Sequence, residues 1–340
     1  MPIVGAFDVH RSQLTFEYVD SETGEISQGR IAPADRPHLR EWLKRFGDQD
    51  DLAFALEGCT GWRYVTEELR RIGADVHLAE PADTAALRGK KRRAKTDRTD
   101  TTHLRNHLQL GDLPESWIPP DNVLEARTLI RLYKDLLDER GAWHQRVHAT
   151  LFHQGVPVPG SLTIGANRAK LEGAELSEAS ALAVSAGLRQ IDRISEEMAP
   201  LHRSLGQLSR RQPGARALQD AHYGIGTITS VAIWAEMGDC ARFANSNDAV
   251  RHTGLDVTVS SSADKRARGH LARQGPPVLR WALYEAAMCA SRPSSPDHAY
   301  YLALRERRDG QLAAITIARK LARRCFHTLV ELGDKALEAA

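Results

Sequence analysis

The chain has 340 residues, 42% apolar and 26% charged, which is enough for two cores and a connector in an ordinary globular protein. With 46 Lys and Arg against 44 Asp and Glu, the formal net charge of +2 selects no class of partner. Four cysteines, Cys59, Cys240, Cys289 and Cys325, form no CxxC pair, which argues against a zinc site and a disulfide framework; no long uncharged apolar run suits a membrane.

The first eighty residues read as α/β. Pro2 to Val9 is an apolar strand carrying Asp8 near its end, and Leu14 to Val19 alternates as a half-buried strand does. A third strand is expected at Glu25 to Ile31, then a short helix at about 36–46. Asp51 to Leu56 is the next strand, Glu57-Gly58-Cys59-Thr60-Gly61 turns into a helix from Trp62 to Ile72, and Ala74 to Leu78 is a fifth strand. A mixed sheet with helices against it follows. From Asn122 to Leu151 apolar residues recur at helical steps. Ile191, Ile194, Met198, Leu201, Leu205 and Leu208 then make a seam, interrupted by Pro200, which should kink or break that helix. These two helices fit either an antiparallel hairpin or the core of a bundle. After Gln212-Pro213-Gly214 a helical segment runs to about Leu332.

Charge is bunched in three places: Arg88 to Lys95 (with Lys91, Arg92 and Arg93 at its centre), Lys265-Arg266 with Arg268 and Arg273, and Arg319-Lys320 with Arg323-Arg324. Each suits a polyphosphate backbone or a solvated face.

Asp8 and Glu57 both end apolar strands, the edge at which α/β sheets bind ligands. Asp97 and Asp100, in Lys95-Thr96-Asp97-Arg98-Thr99-Asp100, share one face of a helix start, where negative charge is tolerated. Hard oxygen donors without clustered Cys or His favour Mg²⁺ or Mn²⁺, and four carboxylates can hold two ions for phosphodiester chemistry. Taken singly, Asp97 also reads as a helix cap, Glu57 as a surface strand end and Asp8 as a turn former, while His10, next to these carboxylates, reads as a turn residue or as a group assisting the metal set. Further on, Gly224-Ile225-Gly226 opening a helix resembles the turn of helix–hairpin–helix modules, whose backbone N–H groups receive a DNA phosphate. Ser260-Ser261-Ser262 beside Lys265 and Arg266 reads as a flexible loop or as a nucleophilic hydroxyl facing a phosphate.

Together these segments resemble the DEDD transposases of bacterial insertion sequences. The resemblance covers nearly the whole chain. It runs through Phe7-Asp8-Val9-His10, Ala55 to Gly61, Lys95 to Asp100, Gly224-Ile225-Gly226, Arg242-Phe243, Gly254-Leu255 and Gln274-Gly275 to Tyr284. It implies an RNase H-like (RuvC-like) catalytic domain at 1–115, a helical coiled-coil connector at 116–212, and a mainly α transposase domain with a helix–hairpin–helix-like element at 213–335. It implies that Asp8, Glu57, Asp97 and Asp100 bind the metal, Mg²⁺ or Mn²⁺. It further implies a serine nucleophile forming a transient phosphoserine link to DNA. Aligned from Gly254-Leu255 that serine is Ser262, and a one-residue gap moves the role to Ser261. DNA contacts are expected at Gly224, Gly226, Lys91, Arg92, Arg93, Lys265, Arg266, Arg268 and Arg273. The family also implies homo-oligomers, dimers or tetramers, and a structured guide RNA from the element. A junction-resolving nuclease, with the carboxylates and water but no serine, is the alternative. Met1 leading straight into a strand gives the expectation of a cytoplasmic, reduced protein.

Overall fold

The computed structural model describes residues 3–47, 49–87, 97–157, 160–171, 173–257, 270–338 and, as backbone pairing, 261–262 and 265–266. It divides into two compact units, 1–118 and 119–340.

In the first unit, β1 (Ile3–Val9), β2 (Leu14–Asp20) and β3 (Ile26–Ile31) form an antiparallel meander. After α1 (Arg36–Leu43) come β4 (Leu52–Glu57), α2 (Trp62–Arg71) and β5 (Asp75–Ala79), with β4 parallel to both β1 and β5. The strand order is β3-β2-β1-β4-β5. Helices α3 (Pro81–Leu87) and α4 (Asp97–Leu110) follow. This mixed sheet is consistent with the RNase H-like expectation.

The two sheet faces differ in side-chain size, and that difference positions the site. Successive residues on a strand point to opposite faces. One face carries Phe7, Phe16, Phe54 and Leu56, which pack with Trp42, Leu39 and Leu43 of α1 and Val65 and Leu69 of α2. Trp42 meets Phe7 and Phe16 at ring-centroid distances of 5.4 and 4.5 Å. Each such fully buried side chain contributes about 2 kcal/mol. Glu68 ties α1 to α2: hydrogen bonds from Arg40, with further ones from Arg36, hold its carboxyl down at about 2. The opposite face carries Ala6, Ala55 and Ala79, which leave room for α4 to lie close, with Leu104 and Leu113 filling the gap. Asp8 lies two residues beyond Ala6 and Glu57 two beyond Ala55, so both fall on the α4 side.

The second unit opens with α5 (Asp121–His153), the short α6 (Gly165–Ala169) and α7 (Glu178–Arg211). Pairs Arg140–Ser195 and Tyr133–His202 show that α5 and α7 run antiparallel. Helix α7 continues through Pro200, so the break that was one of the two expected outcomes is absent. Ile191, Ile194, Met198 and Leu205 of the seam are buried within the chain, and packing along α5 offsets the backbone bond that proline removes. Then come α8 (Pro213–Ala221), α9 (Thr227–Met237), α10 (Ser246–Thr253), the two-residue strands β6 (Ser261–Ser262) and β7 (Lys265–Arg266), α11 (Pro277–Met288), α12 (His298–Arg307) and α13 (Gly310–Leu332). Helix α9, Thr-Ile-Thr-Ser-Val-Ala-Ile-Trp-Ala-Glu-Met, is apolar nearly all round and sits at the centre, touched by α5, α7, α8 and α11. Its Trp234 is fully buried and donates from Nε1 to the Ala336 carbonyl at 2.7 Å. Its one buried carboxylate, Glu236, is held by Arg131 of α5 at 2.8 and 3.0 Å. Among the described residues no helix is long and apolar enough to cross a membrane.

Candidate active site

The parallel register pairs Phe7 with Leu56, so Asp8 and Glu57 follow side by side at the same end of neighbouring strands. Both are half-buried. Helix α4 brings Asp97 and Asp100 in its first turn. What fixes α4 is a buried ion pair: Arg105 donates from Nε to Glu17 Oε1 of β2 at 2.8 Å, and Thr102 donates to Glu17 Oε2 at 2.6 Å.

The donor atoms of Asp8, His10 and Asp97 lie within 4.8 Å of one another. His10 Nε2 is 3.0 Å from Asp8 Oδ2 and 3.5 Å from Asp97 Oδ1. Gln13 donates to Asp97 Oδ2 at 3.2 Å. Burial pushes the Asp8 carboxyl above its ordinary range; His10 opposes that shift, and the charges of Asp97 and Asp100 add to it. Asp100 is therefore within electrostatic reach of Asp8, and Glu57 stands on the adjacent strand end; neither belongs to the tight group. Thr15, cross-strand from Asp8, holds its hydroxyl buried without a hydrogen-bond partner. Converging carboxylates, one raised carboxyl and a spare hydroxyl fit a hydrated hard cation. Beside Asp97 opens a cleft of about 500 Å³ lined by Thr15, Gln28, Arg30 and Arg98.

The second-unit motifs mostly frame one hairpin. Backbone bonds Ala272 N to Asp256 O and Arg273 N to Gly254 O, both 3.0 Å, close its base. Farther out β6 and β7 pair in antiparallel register, Ser261 with Arg266 and Ser262 with Lys265. Ser260, Ala263, Asp264 and Arg268 lie outside the described residues, as do Lys91, Arg92 and Arg93. At the base, Arg280 donates to the Gly275 carbonyl at 2.7 Å and to the Thr253 carbonyl at 3.3 Å. Gly275 has φ of 148°, and a Cβ there would sit 2.1 Å from the His252 carbonyl oxygen. Gly275→Ala is therefore expected to cost about 2–4 kcal/mol, read as a lower unfolding midpoint in denaturant. An unchanged midpoint would show that the crossing of the two strands is slack.

Gly224, φ 91°, is held against α11, where a Cβ would meet the Ala286 carbonyl at 2.4 Å. Gly226 caps α9, its N–H donating to Thr229 Oγ1 at 2.9 Å, and an added Cβ would meet nothing within 4 Å. Gly226→Ala should thus leave stability within about 0.5 kcal/mol of the parent, measured by the same unfolding curve. Arg242 donates to the Met237 carbonyl at the end of α9 and stacks over Phe243, so the Arg-Phe motif is a helix stop. The basic run on α13 is engaged inside the fold. Lys320 and Arg324 bind Asp297, Arg319 binds the Leu255 carbonyl, and Arg323 binds Asn247. Arg273 is exposed, with φ of 54°.

Sequence reasoning missed Gln13, Thr15 and the Glu17–Arg105 pair, and read His10 as a turn residue ahead of a group assisting the metal set. The available signal for His10 was its spacing of two from Asp8, and for Glu17 a charge inside an alternating apolar strand.

Two family models match the chain. The DEDD transposase model of the IS110 type matches residues 5–153, and the model described as Transposase IS116/IS110/IS902 family matches residues 217–302. A Pseudomonas aeruginosa protein named as a family 20 transposase is 24% identical over 283 residues, covering 79% of this chain and 81% of its own length. A Sinorhizobium fredii protein named as a transposase is 26% identical over 197 residues, 57% of this chain and 48% of its own. The two family models follow one another along the chain and, with relatives also named as transposases, support an IS110-family DEDD transposase acting on DNA.

Proposed function

We propose that the chain cuts and exchanges DNA strands by metal-dependent phosphoryl transfer through a serine–DNA phosphodiester. Asp8, Glu57, Asp97 and Asp100 would hold Mg²⁺ or Mn²⁺, and Ser262, with Ser261 as the alternative, would be the nucleophile. The observation carrying the metal half is the convergence of Asp8 and Asp97 donor atoms from a strand end and a helix start. The ion supplies Lewis acidity at a phosphate oxygen.

In the cutting step the serine Oγ forms a bond to phosphorus and gives up its proton. The bond to one deoxyribose oxygen breaks, and that oxygen takes up a proton. One phosphodiester replaces another, so no ATP is consumed. In joining, a hydroxyl of the partner strand attacks the phosphoserine and the serine oxygen regains its proton. The backbone register sets Lys265 across from Ser262 and Arg266 across from Ser261, and basic residue types at those positions support the phosphate-facing reading of either candidate. The exposed Arg273, the Lys91–Arg93 run, Arg268 and the Gly224–Gly226 turn between α8 and α9, as a helix–hairpin–helix-like element, are assigned to DNA backbone contacts. The homo-oligomer, in which one subunit's carboxylates meet another's serine, and the structured guide RNA rest on the family resemblance alone. So does the three-part division into catalytic domain, connector and transposase domain.

The test is trapping on suicide DNA substrates carrying candidate junctions, with Mg²⁺ or Mn²⁺ and RNA transcribed from the flanking element. An adduct surviving denaturing gels and mapped by peptide mass spectrometry to Ser262 is expected, and one at Ser261 would shift the register. Metal-dependent cutting that leaves free ends and no adduct would replace the serine mechanism by the resolvase one.

A further inference from the structure

We propose that His10 is a direct nitrogen ligand of the cation held by Asp8 and Asp97, and that it tilts the site toward Mn²⁺ over Mg²⁺. This rests on the metal reading above and goes beyond its four-carboxylate set. The placement is dictated by the strand. Asp8 lies on the α4 face of β1, and the residue two further on projects to the same side. His10 begins the turn between β1 and β2, with its backbone fixed by a 3.0 Å bond from its N–H to the Gln13 carbonyl. The same turn supplies Gln13, which orients Asp97.

The contacts of the ring separate a ligand from a simple ion-pair partner. A histidine that only pairs with a carboxylate needs one oxygen. Here Nε2 faces oxygens of two, at 3.0 and 3.5 Å, and those two come from a strand end and a helix start. Three donor atoms mutually within 4.8 Å surround a point that calls for a positive centre. Among the described residues, the other charged groups near that point include Asp100, which acts on Asp8 from α4, Glu57 at the adjacent strand end, and Arg98, which lines the cleft beside Asp97. None of these offers a nitrogen lone pair to a metal. Half of the ring remains exposed, 49% of the side chain, which leaves room for water on the ion's remaining positions. Mg²⁺ keeps oxygen ligands and sheds water reluctantly, whereas imidazole suits first-row transition ions. A site of carboxylates and one imidazole should therefore hold Mn²⁺ in preference.

Mn²⁺ is titrated into the metal-free full-length chain, and its binding is followed by electron paramagnetic resonance. The bound signal is then examined by pulsed methods for nitrogen coupling, in unlabelled protein and in protein carrying ¹⁵N-histidine. Parallel samples carry His10→Ala or Asp8→Asn. Expected is a nitrogen coupling that shifts with the label and vanishes in His10→Ala. That variant should also weaken Mn²⁺ binding by about tenfold or more while Mg²⁺ competition hardly changes. Thermal unfolding without metal should match the parent, which separates ligand loss from misfolding. Mn²⁺ bound without nitrogen coupling, or with coupling that persists in His10→Ala, would overturn the proposal and leave the carboxylate site standing. Binding absent in the parent, or undiminished in Asp8→Asn, would overturn the carboxylate reading itself.

Discussion

Asp8→Asn is expected to lower the rate of DNA strand cleavage by about 10³-fold or more, equivalent to about 4 kcal/mol of transition-state stabilisation, while the protein stays folded. The two halves of that expectation have different origins. Among the described residues Asp8 contributes a carboxylate to the group in which strand and helix donors converge, so under the proposed function its loss removes charge where the cation would sit. The folded chain, by contrast, gains nothing from that charge. Burial raises the Asp8 carboxyl above its ordinary value, and Asp97 and Asp100 push it the same way. A carboxyl raised on folding costs stability as pH climbs through its folded value. Asparagine, nearly the same shape, has no such cost. In EDTA at pH 7 the variant should melt at or above the parent temperature. Added Mg²⁺ or Mn²⁺ should raise the melting temperature of the parent and leave that of the variant unmoved. A variant that is inactive and also several degrees less stable without metal would assign Asp8 to the framework instead.

Much of this was legible in the sequence because the deciding signals are local. Apolar runs put Asp8 and Glu57 at strand ends, and β1, β2 and β4 fall within a residue or so of the positions that those runs and the alternation of Leu14 to Val19 predict. The spacing of Asp97 and Asp100 was likewise enough to place both in one helical turn. What local pattern could not supply is partners far apart in the chain. Glu17 and Arg105 are separated by 88 residues, and nothing near either names the other. Pro200 is the converse case: a valid local rule overridden by burial of the residues around it. The basic run at Arg319–Arg324 reads as a phosphate-binding surface or a solvated face until Asp297 and two acceptors from other segments are seen to take it up. The serine triplet reads as a loop because strand pairing of two residues leaves no periodicity to detect. Its fixed base depends on Gly254 and Gly275, which the family resemblance flags and whose crossing explains their type.

The strongest test of how fold and site are joined is the Glu17–Arg105 pair. Its side chains are 5% and 8% exposed, and it anchors α4 eight residues after Asp97, about 12 Å along the helix. Glu17→Gln leaves a guanidinium buried without its counter-charge, which should cost about 3–5 kcal/mol and lower the melting temperature by roughly 10 °C or more. It also removes the strong acceptor for Thr102, so the first turn of α4 loses its register over β1 and β2. Metal-induced stabilisation should then shrink, although none of the four carboxylates has been touched. Replacing both partners by methionine removes the stranded charge and should restore most of the stability, as apolar substitution of a buried pair does elsewhere. Differential scanning calorimetry of parent, Glu17→Gln and the double variant, each with and without Mg²⁺, reads both effects. If the double variant recovers stability and metal response together, the pair serves only to dock the helix. If stability returns without the metal response, the Glu17–Arg105–Thr102 network sets the position of Asp97 and Asp100 as well as holding α4 down. The second result is expected, because methionine can fill the space but offers no acceptor to fix Thr102.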